Sequence, residues 1–290
     1  MPDRRAVKKN NEPKTALTVY CYDGSFDGLL CCVFESYERG EVPADVLPEG
    51  GDLPLLLPVK TIETDAAKAE RVQMSIPKKM GHLALDFVRK AFLTCHPKKE
   101  LLILQFLRLG YRYGAMVMDR LTDETVHALT TAVRHATHEA HLFQGFVRFS
   151  EVNGALVAEI EPKNIVLPLI APHFCDRYPG ERFLIYDRTH GMALMYQNGE
   201  ASICDIEAFE QPQPGEEERT FRALWRLFYD TIEIKERHNP RCRMSHMPKR
   251  YWSCMTEFAR GIEGEGKGES KLTDVKPLTS ESTVVGLISR

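Results

Sequence analysis

Residues 17–40 read LTVYCYDGSFDGLLCCVFESYERG, and this stretch predicts the first strand and the first helix of the fold. Its first residues are rich in β-branched and aromatic side chains, which predicts a buried strand over residues 17–22. A helix is predicted over residues 29–39, with Asp27 as its N-cap and Gly40 at its end. A short glycine-containing turn lies between the two. The chain therefore begins with a strand, a turn and a helix.

The middle of the chain is predicted to be helical, because apolar residues recur there at intervals of three and four. After it, alternating apolar and polar residues predict strands, and Asn153-Gly154 and Asn198-Gly199 are typical hairpin turns. The whole pattern indicates an α+β fold with a mostly antiparallel sheet and C-terminal helices. The predicted helices are 65–73, 81–94, 98–113, 123–142, 165–178, 216–235 and 249–260, and the later strands are 143–150, 155–160, 183–187, 193–196 and 202–205.

The two ends are predicted to be disordered, since residues 1–15 are polar and basic and residues 261–290 are rich in Gly, Ser, Thr, Glu and Lys. Between them we expect a single α+β domain over residues 16–260, with a possible subdivision near residue 143.

Composition limits the class of protein. The chain has 290 residues and a net charge of −3, which allows a local basic patch but not a basic surface overall. No run of about 20 apolar residues is present, so no membrane span is expected. Eight cysteines occur without a C-x-x-C pair, and no secretion signal precedes them. We therefore expect reduced thiols in a cytoplasmic protein, and no cofactor.

Four segments together resemble a known family. They are YDGSFDGLL (22–30), GFVRF (145–149), APHF (171–174) and NPRCRMSHMPKRYW (239–252). Their order and number resemble the bacterial "probable DNA metabolism protein" family over residues 17–260.

The resemblance implies a DNA repair or modification context. Family members resemble partners of a radical-SAM protein, and a similar segment occurs fused ahead of a uracil-DNA glycosylase-superfamily domain. This chain has neither a glycosylase motif nor the C-x-x-x-C-x-x-C pattern of radical-SAM enzymes. Such chemistry would therefore belong to a partner enzyme, and the resemblance assigns no catalytic residue.

The turn after the first strand is a candidate phosphate-binding loop, because glycines and helix N-terminal amides bind anions. Short glycine-rich motifs are weakly specific, which favours the alternative of a capped strand–turn–helix in which Asp27 and Ser25 hold the turn. The candidate residues are Asp23, Gly24, Ser25, Asp27 and Gly28.

A row of histidines follows in the helical middle. His135, His138, Glu139 and His141 are three or four residues apart, so they are expected to share one helix face. His135 and His138 are weak candidates for a metal site, and Glu139 and His141, with the later Asp187, are weak candidates for proton transfer. The alternative is a solvated helix face.

Arg148 is predicted to lie in a strand, pointing to the side opposite its two apolar neighbours. There it would contact a phosphate or a base, or form a salt bridge with Glu159 on the hairpin partner.

The strongest nucleic-acid signal is the basic segment, residues 235–252. Between residues 235 and 250 it has six lysines and arginines against one glutamate. Cations neutralise phosphates and aromatic rings stack on bases. Asn239-Pro240 predicts a flexible loop that carries the basic residues between two helices. The candidate contacts are Arg237, Arg241, Arg243, Lys249, Arg250, Tyr251 and Trp252.

The helix before this segment places five apolar residues on one face, which predicts core packing, and Trp252 could belong to the core by the same reasoning. The five residues are Phe221, Leu224, Trp225, Phe228 and Ile232.

Three hypotheses follow. The first is an accessory protein of DNA repair or modification that binds DNA and works with a radical-SAM or glycosylase-type partner. The second is an enzyme acting on a nucleobase or nucleotide, with the loop of residues 23–28 holding phosphate. The third is a protein-interaction module without nucleic-acid contact.

Overall fold

The computed structural model describes residues 14–51, 56–206, 209, 215–232 and 234–258. It confirms the α+β class. The chain divides into two compact units, residues 1–92 with 96–133 and residues 93–95 with 134–290. Of the predicted disordered ends, residues 1–13 and 261–290 lie outside the described residues. In the described part, no helix is long and apolar enough to cross a membrane.

The first unit contains a three-stranded parallel sheet of order β4-β2-β5, beside a short parallel pair of β1 and β3. All four residues of the central strand are buried, as its composition predicts, but it starts at Val19 because Leu17 is exposed. The strands are β1 (Lys14–Thr15), β2 (Val19–Tyr22), β3 (Glu41–Val42), β4 (Asp45–Pro48) and β5 (Val59–Thr61).

Helices cover the rest of the first unit. The second of them was predicted to end before Pro77 but continues to Met80, because Ile76 and Met80 are buried and extend its apolar face. Its N-cap is Asp65, whose carboxylate accepts from the amides of Ala67 and Lys68. The helices are α1 (Phe26–Glu38), α2 (Ala66–Met80), α3 (His82–Phe92), α4 (Lys99–Tyr113) and α5 (Glu124–Phe146), with a 3₁₀ helix at Gly114–Asp119. Of α5, residues 134–146 belong to the second unit.

Helix α5 extends beyond the predicted end at residue 142, so the predicted strand 143–150 is wrong over most of its length. Ala140, Phe143 and Val147 are all buried. Their spacing of three and four continues the helical period, and it outweighs the apparent alternation that suggested a strand.

The second unit is built on a five-stranded sheet of order β10-β9-β8-β7-β6. It is antiparallel except where β7 and β8 pair in parallel across the crossover helix α6. Both predicted hairpins are confirmed, with positive φ at Asn153, Gly154, Asn198 and Gly199. The elements are β6 (Ser150–Val152), β7 (Ala155–Ile160), α6 (Leu167–Arg177), β8 (Phe183–Asp187), β9 (Met192–Gln197) and β10 (Glu200–Asp205).

The last described elements are helices. Helix α7 (Glu216–Thr231) is shorter than predicted, and 3₁₀ helices at Lys235–Arg237 and Lys249–Cys254 flank α8 (Pro240–His246). Of the predicted helix 249–260, residues 249–254 form a 3₁₀ helix, residues 255–258 are not helical, and residues 259 and 260 lie outside the described residues. The core packing predicted for the apolar face of α7 is also wrong, because all five side chains are exposed: Phe221, Leu224, Trp225, Phe228 and Ile232.

Candidate nucleic-acid interface

The basic segment is folded where a flexible loop was predicted. Asn239 caps α8, and its side-chain oxygen accepts from the amide of Cys242 at 3.0 Å. Pro240 occupies the first helical position, where its missing N–H costs nothing. Asn-Pro is therefore a helix start here, and α8 holds Arg241 and Arg243 in a defined arrangement.

Three exposed cations of the basic segment have no ion-pair partner among the residues that the structure describes. They are Arg237, Arg241 and Lys249. They are therefore available to an anion from outside the chain.

A shallow pocket lies beside α8, with a volume of about 240 Å³. Arg243 is one of its lining residues. The Nε of Arg243 is buried and has no hydrogen-bond partner in the part of the chain described. The cations that line the pocket would attract an anion. The lining residues are Arg237, His238, Asn239, Pro240, Cys242 and Arg243.

Trp252 forms an ordered stack beside these cations. Its ring lies 4.4 Å from that of Phe258, nearly parallel, and its Nε1 donates to the carbonyl of Met247 at 3.0 Å. The guanidinium of Arg243 lies 5.5 Å from the Trp252 ring, and the ammonium of Lys249 lies 5.8 Å from it. The side chain of Trp252 is partly exposed, so it is neither a core residue nor a fully exposed one.

The side chains of Tyr251 and Arg250 make contacts inside the second unit. Tyr251 is 1% exposed and packs against Phe143 and Phe146, so the expectation that it stacks on a base is wrong. Burial raises the pKa of its hydroxyl. The guanidinium of Arg250 lies over the Tyr251 ring and forms an ion pair of 3.1 Å with Glu139.

Arg148 lies in the loop after α5 rather than in a strand. Its Nη2 pairs with the buried carboxylate of Glu257 at 2.9 Å, and its Nη1 donates to the carbonyl of Gly145 at 2.9 Å. Glu159 pairs instead with Arg188. The predicted bridge to Glu159 is therefore wrong, and Arg148 holds two parts of the second unit together.

Glu139 is a structural carboxylate. It is 3% exposed and accepts from the amide of Lys163 at 3.1 Å, and from the amide and the side-chain nitrogen of Asn164 at 2.9 and 2.6 Å. Asn164 in turn accepts from the amide of Cys95 at 2.8 Å. With Arg250 added, both oxygens of Glu139 are occupied. No lone pair remains in a position to accept a substrate proton.

The histidines lie apart from this carboxylate. His135, His138 and His141 are exposed, whereas Glu139 faces the core, so the four do not share one face. Among the described residues, no group of three or more His, Cys, Asp or Glu side chains is arranged to hold a metal ion.

Asp187 has a histidine partner that the spacing did not identify. It is fully buried at the end of β8, and its Oδ2 lies 2.6 Å from the Nδ1 of His190. Its Oδ1 accepts from the amides of Thr189 and His190 at 3.0 and 3.2 Å. A carboxylate in this position orients an imidazole and selects its tautomer. The signal in the sequence was an Asp three residues before a His in a hairpin turn.

The polar side chains of the loop of residues 23–28 form hydrogen bonds within the loop and with Thr64. Ser25, not Asp27, is the N-cap of α1, and its hydroxyl accepts from the amide of Gly28 at 2.8 Å. Asp23 accepts from the amide of Ser25 at 2.9 Å and from the hydroxyl of Thr64 at 2.7 Å. Although burial opposes it, these hydrogen bonds lower the pKa of Asp23. Gly24 supplies a positive φ for the turn.

Gly28 leaves no room for a ligand to enter this loop from the Asp23 side. A Cβ at Gly28 would lie 2.2 Å from Oδ1 of Asp23 and 2.8 Å from Oγ1 of Thr64. The glycine is therefore needed for the close approach of its own neighbours. The geometry fits a capped strand–turn–helix.

Comparison with known proteins gives one family. Neither the curated proteins nor the solved structures contain a significant match to this chain. The family model described as "Domain of unknown function (DUF4130)" matches residues 97–257, from α4 to the residue that pairs with Arg148. Because that match covers more than half of the 290 residues, the chain belongs to the DUF4130 family.

Proposed function

We propose that this protein binds nucleic acid through the basic segment, as a cytoplasmic accessory protein of DNA repair or modification. The observation that carries the proposal is the pocket beside α8, which Arg237, His238 and Arg243 line. A phosphate in this pocket would accept hydrogen bonds from these side chains.

Two further features support the proposal. Arg241 and Lys249 are exposed and can neutralise neighbouring phosphates, which releases counterions. The Trp252–Phe258 stack offers a partly exposed aromatic ring next to them, and such rings bind unpaired bases. Cations beside an aromatic platform favour single-stranded or locally opened nucleic acid over an intact duplex.

The same proposal includes a partner enzyme. The family resemblance implies a radical-SAM or glycosylase-type enzyme, and the basic segment would bring the nucleic acid to it. Arg148 and Arg250 have structural roles in this account, because each is paired with a buried carboxylate.

The test is a binding measurement on matched charge-reversal variants. Arg241→Glu/Lys249→Glu changes two exposed cations of the segment, and Lys78→Glu/Lys79→Glu changes two exposed cations at the end of α2. Both double variants alter the net charge equally. Anisotropy titration of single-stranded DNA at low salt should show at least a tenfold loss of affinity for the first, roughly what two phosphate contacts contribute.

The control variant should bind within about twofold of the unaltered protein, because its altered lysines lie outside the basic segment. Equal losses in both variants would mean that the basic segment is not the contact. Absence of binding in the unaltered protein would favour the interaction module without nucleic-acid contact.

A catalytic role on a nucleobase is the second candidate, and the Asp187–His190 pair is the observation that favours it. Base release or base modification in uracil-containing DNA, followed by mass spectrometry, would detect such a role. A product formed by the protein but not by His190→Ala would support it, and no product from either would remove it.

A further inference from the structure

A second pocket lies in the first unit, beside helix α4, and has a volume of about 620 Å³. Helix α4 lines it with Gln105, Arg108, Leu109 and Arg112. Their spacing of three and four residues places them on one face of the helix, over two turns. The volume lies within the range of small-molecule sites and exceeds that of the pocket beside α8. We name this cavity the α4 pocket.

The side chain of Arg108 is held in place in the α4 pocket. Its Nη1 donates to the carbonyls of Ser36 and Glu41 at 3.3 and 3.2 Å and to the hydroxyl of Ser36 at 3.1 Å. Its guanidinium lies 4.6 Å from the centre of the ring of Tyr37, which also lines the pocket. Tyrosine rings and guanidinium planes both stack on nucleobases, so this pair offers a preorganised flat surface to a base.

Arg112 is the cation at one end of the α4 pocket. It is exposed, and its guanidinium lies 5.4 Å from the centre of the Tyr113 ring. The guanidinium of Arg120 lies 4.1 Å from the same ring, and neither arginine forms an ion pair within the described ranges. Two cations therefore lie close together without a carboxylate between them, and a phosphate would accept from Arg112.

Polar groups occupy the other end of the pocket. The hydroxyl of Thr125 donates to Oε1 of Gln105 at 3.4 Å, and Oδ1 of Asp123 accepts from the amide of Thr125 at 3.0 Å. The side-chain nitrogen of Gln105 and Oδ2 of Asp123 have no hydrogen-bond partner among the residues described, which leaves one donor and one acceptor. Gln105 is two turns of α4 from Arg112, about 10 Å along the helix axis.

We propose that the α4 pocket binds a nucleoside monophosphate. Its phosphate pairs with Arg112, and its base lies on the Tyr37–Arg108 surface. The polar edge of the base reaches Gln105 and Asp123, as amide and carboxylate side chains recognise bases elsewhere. The negative charge of Asp123 repels a phosphate, so it fixes the direction of the ligand. No residue of the basic segment lines this pocket, so the proposal does not depend on the proposed function.

The first experiment is calorimetric titration of the full chain with adenosine, guanosine, cytidine and uridine monophosphate, each beside its nucleoside and inorganic phosphate. At least one nucleotide should bind at least about tenfold more tightly than inorganic phosphate, because base and phosphate both contribute. Binding of none of the four nucleotides, or inorganic phosphate that binds as tightly as they do, would overturn the proposal.

Arg112→Gln tests the phosphate contact without altering the core, because Arg112 is exposed. It should weaken nucleotide binding at least about tenfold and leave binding of the matching nucleoside unchanged, since only the nucleotide has the phosphate. Arg71→Gln, on an exposed arginine of α2, is the matched control and should bind the nucleotide within about twofold of the unaltered protein. Equal losses in both variants, or an equal loss for nucleoside and nucleotide in Arg112→Gln, would contradict the assigned contact.

Tyr37→Leu tests the flat surface, with Tyr37→Phe as the variant that keeps the ring. Tyr37 is 45% exposed, so neither substitution opens the core. Tyr37→Leu should weaken the nucleotide and its nucleoside alike by about tenfold, since a stacked base loses its ring partner. Tyr37→Phe should retain binding within about twofold. Nucleotide affinity that Tyr37→Leu leaves unchanged would contradict the proposed position of the base.

Discussion

At the scale of single residues, Glu139 can be tested as a structural group. Both its oxygens accept hydrogen bonds inside the second unit, so Glu139→Ala leaves the amides of Asn164 and the charge of Arg250 without their partner. We expect a loss of about 3–5 kcal/mol in the free energy of unfolding. Urea titration checks this, with His138→Ala on the exposed side of α5 as the control, expected within about 0.5 kcal/mol. A stable Glu139→Ala protein would contradict the structural role.

At the same scale, the buried carboxyl of Glu100 predicts that the stability of the fold depends on pH. Burial raises the pKa of this carboxyl above its ordinary value of 4.5, and the hydroxyl of Tyr22 donates to it at 3.5 Å. A raised pKa in the folded state means that ionisation destabilises the fold, so stability is lost as pH rises through the folded pKa. Glu100→Gln should therefore be more stable than the unaltered protein at pH 7.

The advantage of Glu100→Gln should shrink as pH falls below about 4.5, where the carboxyl is protonated in both states. Urea unfolding at neutral and acid pH measures the difference, and Glu124→Gln on the exposed first turn of α5 is the control. The comparison uses the stability difference between Glu100→Gln and the unaltered protein at each pH. A smaller gain at neutral pH than at acid pH would contradict the expected sign.

At the scale of elements, two glycines in helices should respond oppositely to the same change. Gly28→Ala forces a Cβ against Asp23 and Thr64, so the turn before α1 must open, at a cost of about 1–3 kcal/mol. Gly145→Ala meets no atom within 4 Å and should stabilise α5 by up to about 1 kcal/mol. Thermal unfolding distinguishes the two, and similar shifts in both would show that the loop is not closely packed.

The elements that local chemistry determines could be predicted from the sequence. Both Asn-Gly hairpins and the strand Phe183–Asp187 follow directly from turn preference and side-chain type. The end of α5 could not be predicted, because Phe143 and Val147 fit a strand and a helix equally well until their burial is known. The parallel pairing of β7 and β8 depends on contacts between distant residues, which composition does not determine.

The candidate site could be predicted only in part, for a similar reason. The charge of the basic segment is a local property, so its exposed cations Arg241 and Lys249 were identified correctly as surface groups. Whether an arginine is free depends on distant carboxylates, and Arg148 is paired with a residue 109 positions away in the chain. The apolar face of α7 predicted core packing, because periodicity alone does not distinguish a core face from an exposed one.

At the scale of the whole molecule, a net charge of −3 opposes nucleic-acid binding in general, so the proposed binding requires a local basic surface, which we assign to the basic segment. The most direct measurement is fluorescence anisotropy of single-stranded, duplex and uracil-containing DNA across a salt series. The account predicts binding to single-stranded DNA that weakens with salt, with a log–log slope of about −2 to −4 for the few cations available. Binding that does not change with salt, or no binding at low salt, would contradict it.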